Sequence, residues 1–440
     1  MNKGNGIIYR VYREGDEEGI TEVMRKCFGT FNQFQLDAKT WLSYREVDYG
    51  FKTDYSLVAE ANGKIVGHVQ VVLRRLKLGK GYVNVGGIAN VSTDPDYRGR
   101  GIATNLMRMA LELCKKEGIH LSDLMTSYGY VAHRVYRRLG YADVIFFQRF
   151  LGEREEVEET IKTFEKEVNV KVRDYKDDDL PHLERIYNSF AEEYSGIAWR
   201  DTEYWRKKIV GKKRFYHMWF YDEEGMEILV AERGGEVSGY SYFALGPKCK
   251  RLVMGSSEVG ILLELVAKDM ASLKGLLVET LRRMLEVNVK TFDLVLPPYE
   301  PYRSLLRRFH FFIERGIYMS NIVDLEGLMR EYIPTFEYFM RRAGGFNVRI
   351  GLRSSYGNVN LELKGDTIEV TKERPDVVFQ ISYHSLARMV HFVENVYSAF
   401  FKGHIDIVKT NSSITASRAL QCLSTLFPKM KFFVWQADHW

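Results

Sequence analysis

Alternation of apolar and polar positions marks two hairpins of one design. The first runs from Leu57 to Gly67 and continues to alternate through Leu73; the second runs from Leu229 to Gly239 and on through Leu245. A period of two predicts strand, turn and strand, with Asn62-Gly63 and Gly234-Gly235 as the tight turns. The copies lie 172 residues apart and share identity or apolar type at seven of eleven positions, which indicates a duplicated domain.

Helical periodicity supports the same repeat. Tyr12 to Asp16 opens a helical stretch over Glu17 to Phe28, and Tyr175 to Asp179 opens another over Leu180 to Phe190, with Asp16 and Asp179 as candidate N-caps. Near the end of each copy, Val135 to Tyr141 matches Leu305 to Phe311. Glu153 to Glu167 is charge-rich and predicts a connecting helix. From about Leu325 the pattern changes. Strands are expected at Asn347 to Leu352, Asn358 to Leu363, Thr367 to Val370 and Val377 to Ile381, with a turn at Gly365-Asp366. Helices follow from Ser382, on Leu386, Met389, Val390 and Phe392, and from Ser413 to Phe427. The expected class is therefore α+β (mixed α/β), in three units: 1–155, 156–324 and 325–440.

Composition narrows the function classes. The 440 residues are 45% hydrophobic and 28% charged, an ordinary globular balance that suits several domains. The excess of 63 basic over 58 acidic residues gives +5, small and dispersed, so nucleic acid is not an expected partner. Cys27, Cys114, Cys249 and Cys422 are far apart, which argues against zinc and against a disulfide framework. No metal is expected. No apolar run reaches the length of a membrane span, and Met1 to Tyr9 has no hydrophobic signal region, so a cytoplasmic location is expected.

The densest chemical signal lies between Tyr82 and Lys115. A strand from Val83 to Thr93 carries Gly86 and Gly87, and glycine inside a strand marks a bulge or a close approach. Asp94 to Tyr97 breaks it, Arg98-Gly99-Arg100-Gly101-Ile102-Ala103 follows, and an apolar-faced helix begins. Small residues let the backbone curl around an anion, and the amides and dipole of the helix start attract one. The spacing is neither a Rossmann fingerprint nor a Walker loop.

Strand, Asp-Pro turn, Arg-x-x-Gly-x-Ala and helix, in that order, resemble the GNAT acetyltransferase superfamily, with Arg98, Gly101 and Ala103 on its signature. The resemblance implies acetyl-CoA as co-substrate. Val91, Ser92 and Thr93 would pair with the pantetheine arm, and the amides of Gly99, Arg100, Gly101, Ile102, Ala103 and Thr104 would hold the pyrophosphate, with charge from Arg98 and Arg100. In Ala132 to Tyr141 the Tyr-x-x-x-Gly-Tyr element implies Tyr136 as general acid beside the coenzyme sulfur. His133 is an alternative base, expected to face solvent or to lie beside the coenzyme.

Two such halves followed by a small α+β unit resemble the Eis (enhanced intracellular survival) family, in which an active GNAT domain is joined to a degenerate one and to a sterol-carrier-protein-like domain. Degeneracy fits the second half, because the loop position falls on Met270 to Gly275 and the Tyr136 position on Leu306. The family likeness implies that the α-carboxylate of Trp440, at the end of an aromatic segment, is the general base, that Val131 and Ala132 touch the coenzyme, that the assembly is a homo-oligomer (a hexamer), and that the substrate is an aminoglycoside-, polyamine- or lysine-like primary amine. Asp37, Glu46, Asp48, Asp123 and Glu193 are candidates to line the amine pocket. The competing readings are a non-catalytic coenzyme A- or lipid-binding regulator and an assembly protein.

Overall fold

The computed structural model describes residues 6–33, 35–48, 50–211, 225–249, 258–409 and 414–440. Its strands in chain order are β1 Ile7–Val11, β2 Phe51–Ala61, β3 Lys64–Leu78, β4 Gly81–Thr93, β5 Leu121–Ser127, β6 Ala142–Gly152, β7 Lys171–Asp174, β8 Tyr194–Ser195, β9 Met226–Arg233, β10 Glu236–Leu245, β11 Val259–Ala267, β12 Thr291–Leu294 and β13 His310–Ile322. The last six are β14 Phe346–Ser354, β15 Gly357–Gly365, β16 Thr367–Thr371, β17 Val377–Ile381, β18 Ile405–Lys409 and β19 Lys431–Phe432. The class is mixed α/β, as the sequence predicts.

Both predicted hairpins form. β2 turns into β3 at Asn62 (φ 51) and Gly63 (φ 74), and β9 into β10 at Gly234 (φ 61) and Gly235 (φ 85), the positive φ pair that a two-residue hairpin needs. The repeat is also visible in the order of the 12-stranded sheet, β1-β2-β3-β4-β5-β13-β6-β12-β11-β10-β9-β7. Read inward from either edge, the two copies run through equivalent strands, and β4–β5 and β11–β12 are the parallel pairs.

One feature of this sheet is invisible to local periodicity. Each copy gives its last strand to the other: β13 pairs with β5, while β6 pairs with β12, and the two donated strands pair with each other at the centre. A single sheet therefore runs through both copies, and the cavity at its middle takes residues from each.

The helices Glu17–Cys27 and Leu180–Ala191 form where expected, but Asp16 and Asp179 do not cap them with their side chains. Asp16 instead grips Arg10 at 2.6 and 2.8 Å, and Asp179 grips Arg173 at 2.7 and 2.8 Å. Each arginine also reaches a hairpin glutamate, Glu60 or Glu232. A bidentate guanidinium is a stronger partner for a half-buried carboxylate than helix amides are. The connecting helix is Arg154–Phe164, opened by a capping box of Glu153 and Glu156.

In the last region, β14, β15, β16 and β17 cover the four expected strands, and β18 completes a sheet of order β16-β15-β14-β17-β18. The helix Tyr383–Val390 follows β17. The helix expected from Ser413 is Ala416–Leu426; Ser413 itself lies outside the described residues. The chain then returns to the large sheet: β19 pairs with β8, and the tail packs under β4. Among the described residues no helix is long and apolar enough to cross a membrane.

Candidate functional site

The site begins where two parallel strands part. β4 and β5 pair from Val85–Leu121 to Ile88–Leu124 and no further, so β4 runs on from Ala89 to Thr93 with its β5 side unpaired. On its other side the register with β3 slips between Ala89 and Ser92, with Asn90 at φ 55. This bulge bends the strand away from β5. Of the three residues expected to meet the pantetheine arm, Val91 lines the opening, while Ser92 is buried and Thr93 accepts a hydrogen bond from the Cys27 thiol at 3.1 Å.

Beyond the strand, Pro95–Tyr97 makes one tight turn, held by Asp94, which also pairs with Lys26 at 2.9 Å. Gly99 (φ 78) and Gly101 (φ 77) are left-handed, and a Cβ at either would meet no atom within 4 Å. Glycine is therefore required there by backbone conformation rather than by crowding. Gly101 is the N-cap of the helix Ile102–Lys116. The backbone amides from Gly99 to Thr104 have no protein acceptor among the described residues. Arg98 and Arg100 are exposed beside them, Arg100 stacked over Tyr97 at 4.8 Å. Open amides, a helix N-terminus and two guanidinium groups form an anion cradle that fits a pyrophosphate.

A cavity of about 570 Å³ lies along the stretch of β4 that leads toward the cradle. It is lined by Ile88 to Val91 of β4, Leu124 to Ser127 of β5, Ala132 and Tyr136, Phe146 to Arg149 of β6, Phe312, Glu314 and Arg315 of β13, and, from the tail, Phe432 to Val434, Gln436, His439 and Trp440. The donated strands and the tail thus close a cavity that the first copy only half builds. Tyr136 sits on the helix Val131–Arg138, is 6% exposed, and makes no hydrogen bond to a described residue. Burial pushes its hydroxyl above the ordinary tyrosine range, so it keeps its proton. Val131 is 70% exposed and outside the cavity, whereas Ala132 lines it.

Trp440 is 4% exposed, and its indole lies flat enough on β4 that only glycine fits beneath it. A Cβ at Gly87 would stand 2.4 Å from the indole Cδ2. Gly87→Ala is expected to expel the indole and cost about 1–3 kcal/mol in strain. A red-shifted tryptophan emission and a lower melting temperature would show it; unchanged values of both would contradict this packing.

The tail is clamped from both copies. Arg74 of β3 donates to the carbonyls of Asp438 and His439, each at 3.1 Å, and Lys208 donates to the His439 carbonyl at 2.8 Å. Asp48 links the two cations, at 2.8 Å to Arg74 and 2.7 Å to Lys208. Asp438 is fully buried on Arg200 at 2.9 Å, and Arg200 also holds Glu264. Loss of one partner in such a cluster leaves an uncompensated buried charge.

Burial, with Arg74 nearby, brings the Lys208 ammonium down to about 8 from 10.5. Between those values the unfolded chain keeps a proton that the folded chain has lost, so this group's contribution to stability rises with pH. In urea denaturation at about pH 7 and about pH 10, the native chain should gain stability relative to Lys208→Met at the higher pH. A relative loss would contradict the burial.

Several sequence expectations are corrected here. His133 does not face solvent: it is 3% exposed and bonds Asp143 at 2.8 Å, with the Tyr128 ring tilted against it at 4.8 Å, so it is held inside the protein. None of the five candidate pocket acids lines the cavity. Asp37 caps the helix Ala38–Val47, Glu46 is exposed, and Asp48 serves the clamp. Asp123 is buried against Tyr318 and His391, and Glu193 pairs with Lys431 on the surface. The carboxylate that does line the cavity is Glu314, delivered by a β13 bulge opposite Phe147 and bound to Arg149, which also holds Asp293. Among the described residues no group of three or more His, Cys, Asp or Glu side chains is placed to hold a metal ion.

The second copy has the same strand parting but fills it. β11 outruns its last pair with β12, Leu262–Leu294, and the Tyr302 hydroxyl donates to the Leu265 carbonyl at 2.6 Å in that place. Asp269 caps the helix Met270–Glu286, putting a carboxylate where the first copy leaves open amides. Leu306, at the Tyr136 position, is buried.

Comparison with known proteins agrees with this geometry. Residues 8–144 match the model of the acetyltransferase (GNAT) domain. An uncharacterized N-acetyltransferase of Methanocaldococcus jannaschii is 31% identical over 136 residues, which span 29% of this chain and 57% of that protein. Three solved structures share the fold over 99% of the chain. They are a GCN5-related N-acetyltransferase from Kribbella flavida (16% identity, TM-score 0.69, 98% of that chain), a probable N-acyltransferase from Enterococcus faecalis (13%, 0.71, 100%) and an Eis protein from Mycobacterium abscessus (14%, 0.60, 100%).

Proposed function

Residues 8–144 being a GNAT acetyltransferase domain, we propose that this chain is an acetyl-CoA-dependent N-acetyltransferase acting on a primary amine. The observation that carries this reading is that a single cavity joins the parted strands, Tyr136 and Trp440, and that β4 runs from its wall into the anion cradle. Bound acetyl-CoA would supply an activated acetyl group as a thioester. The amides from Gly99 to Thr104, with Arg98 and Arg100, hold its pyrophosphate; Val91, Ser92 and Thr93 offer backbone to the pantetheine; Ala132 packs beside it. The Trp440 α-carboxylate accepts a proton from the substrate ammonium. The amine nitrogen then bonds the acetyl carbon as the carbon–sulfur bond breaks, the Tyr136 hydroxyl donates its proton to the departing sulfur, and the second nitrogen proton, released as the amide forms, restores the phenol.

In the same reading, units 1–155, 156–324 and 325–440 are an active acetyltransferase unit, a degenerate one and a sterol-carrier-like one. The second copy binds no coenzyme, because Tyr302 and Asp269 fill its cleft. The protein is cytoplasmic and a homo-oligomer, a hexamer by family likeness. Titration calorimetry with coenzyme A tests the site. One equivalent per chain, weakened by Gly101→Val, is the expected result. Two equivalents would sink the plugged second cleft, and no binding would sink the enzyme reading.

A further inference from the structure

The charge inventory of the cavity wall narrows the amine. Besides Trp440 itself, the charged side chains on the wall are Arg149, Arg315 and Glu314. Glu314 is already bound to Arg149, whose other side holds Asp293. Burial pushes the Asp293 carboxyl up to about 6 even so, which marks a setting that disfavours additional unpaired charge. Among the described residues no carboxylate side chain is left over on this wall to receive an ammonium group. The remaining wall is mostly apolar and aromatic, with Phe28, Phe146, Phe147 and Phe312 prominent; its polar members, Asn90, Thr126, Ser127, Gln148, Gln436 and His439, include no carboxylate side chain.

The mouth is apolar too. Phe312 is 49% and Phe146 38% exposed, and the Tyr128 ring lies tilted against Phe146 at 5.3 Å. Large side chains left in water around a cavity mark a surface that an apolar ligand covers. A molecule with several ammonium groups would have to strip water from each of them against aromatic walls with no counter-charge. A molecule with one ammonium and an apolar body would present its charge to the Trp440 α-carboxylate of the reading above and its body to the rings.

We propose that the amine substrate carries one positive charge on an alkyl or aryl body, and that polycations such as polyamines and aminoglycosides are poor substrates. This rests on the acetyltransferase reading of the same cavity. The test compares kcat/KM at saturating acetyl-CoA for hexylamine, 2-phenylethylamine and tryptamine with that for spermidine and kanamycin. Binding of the same amines to the coenzyme A-loaded protein is measured by calorimetry in parallel.

The monoamines should be favoured by about tenfold or more, the size of effect that one unpaired polar group or a few methylenes produce in a dry pocket. Phe312→Glu, which adds a carboxylate at the half-exposed mouth, should shrink that preference by about tenfold in favour of spermidine. Equal or better turnover and binding of the polycations would overturn the proposal, as would a Phe312→Glu variant that folds, binds coenzyme and keeps the native ratio. Tight monoamine binding without turnover of any amine would contradict the acetyltransferase reading while supporting the pocket's preference, so the two failures are distinguishable.

Discussion

Adding a few residues beyond Trp440 is expected to lower acetyl transfer by about 10²- to 10⁴-fold, the range that a positioned acid or base contributes. The extension turns the α-carboxylate into a neutral peptide carbonyl, so in the proposed mechanism the amine loses its proton acceptor. The same residue is 4% exposed with its indole on Gly87. Coenzyme binding should survive, because the amides from Gly99 to Thr104 lie on another element. Trp440→Ala keeps a terminal carboxylate and loses only packing, so its loss should be smaller. Steady-state thiol release from the three proteins decides the point. An extended chain that turns over at the native rate would remove Trp440 from the chemistry.

Tyr136→Phe is expected to reduce kcat by about 10²- to 10⁴-fold while the coenzyme Kd changes little. The native hydroxyl makes no hydrogen bond to a described residue, so its removal leaves no buried partner unsatisfied, and the fold should tolerate the change. Burial holds the hydroxyl protonated across the pH range where amines react. The apolar ring is kept in Phe, so a purely packing role predicts native kcat and an unchanged melting temperature. A large loss of kcat at native stability assigns the hydroxyl to proton transfer.

The parts of the site legible in the sequence are those with local causes. Asn62-Gly63 and Gly234-Gly235 force positive φ, so the hairpins are readable. Gly99 and Gly101 do the same for the cradle, and the apolar end from Phe432 to Trp440 announces a buried tail. The rest depends on partners far along the chain. Nothing local to β6 or β13 says that each joins the other copy's sheet.

His133 reads in the sequence as either facing solvent or lying beside the coenzyme, and Asp143 and Tyr128 around it exclude only the first. Asp16 and Asp179 look like caps, yet in both copies an arginine six residues earlier takes the carboxylate. That matched spacing, with Glu60 and Glu232, was a repeat signal available in the sequence. Arg74 and Lys77 inside an apolar strand were a second signal, since charges at inward positions imply buried partners. The triad of Arg149, Asp293 and Glu314 spans three strands of two copies and had no sequence signature.

The most direct test of the account is product detection: the native chain is incubated with acetyl-CoA and 2-phenylethylamine, and thiol release is followed together with the mass of the amine. The account predicts stoichiometric free thiol and an amine heavier by one acetyl group, both lost in Tyr136→Phe. Tight coenzyme binding with no acetylated amine, from this or any other primary amine, would contradict it.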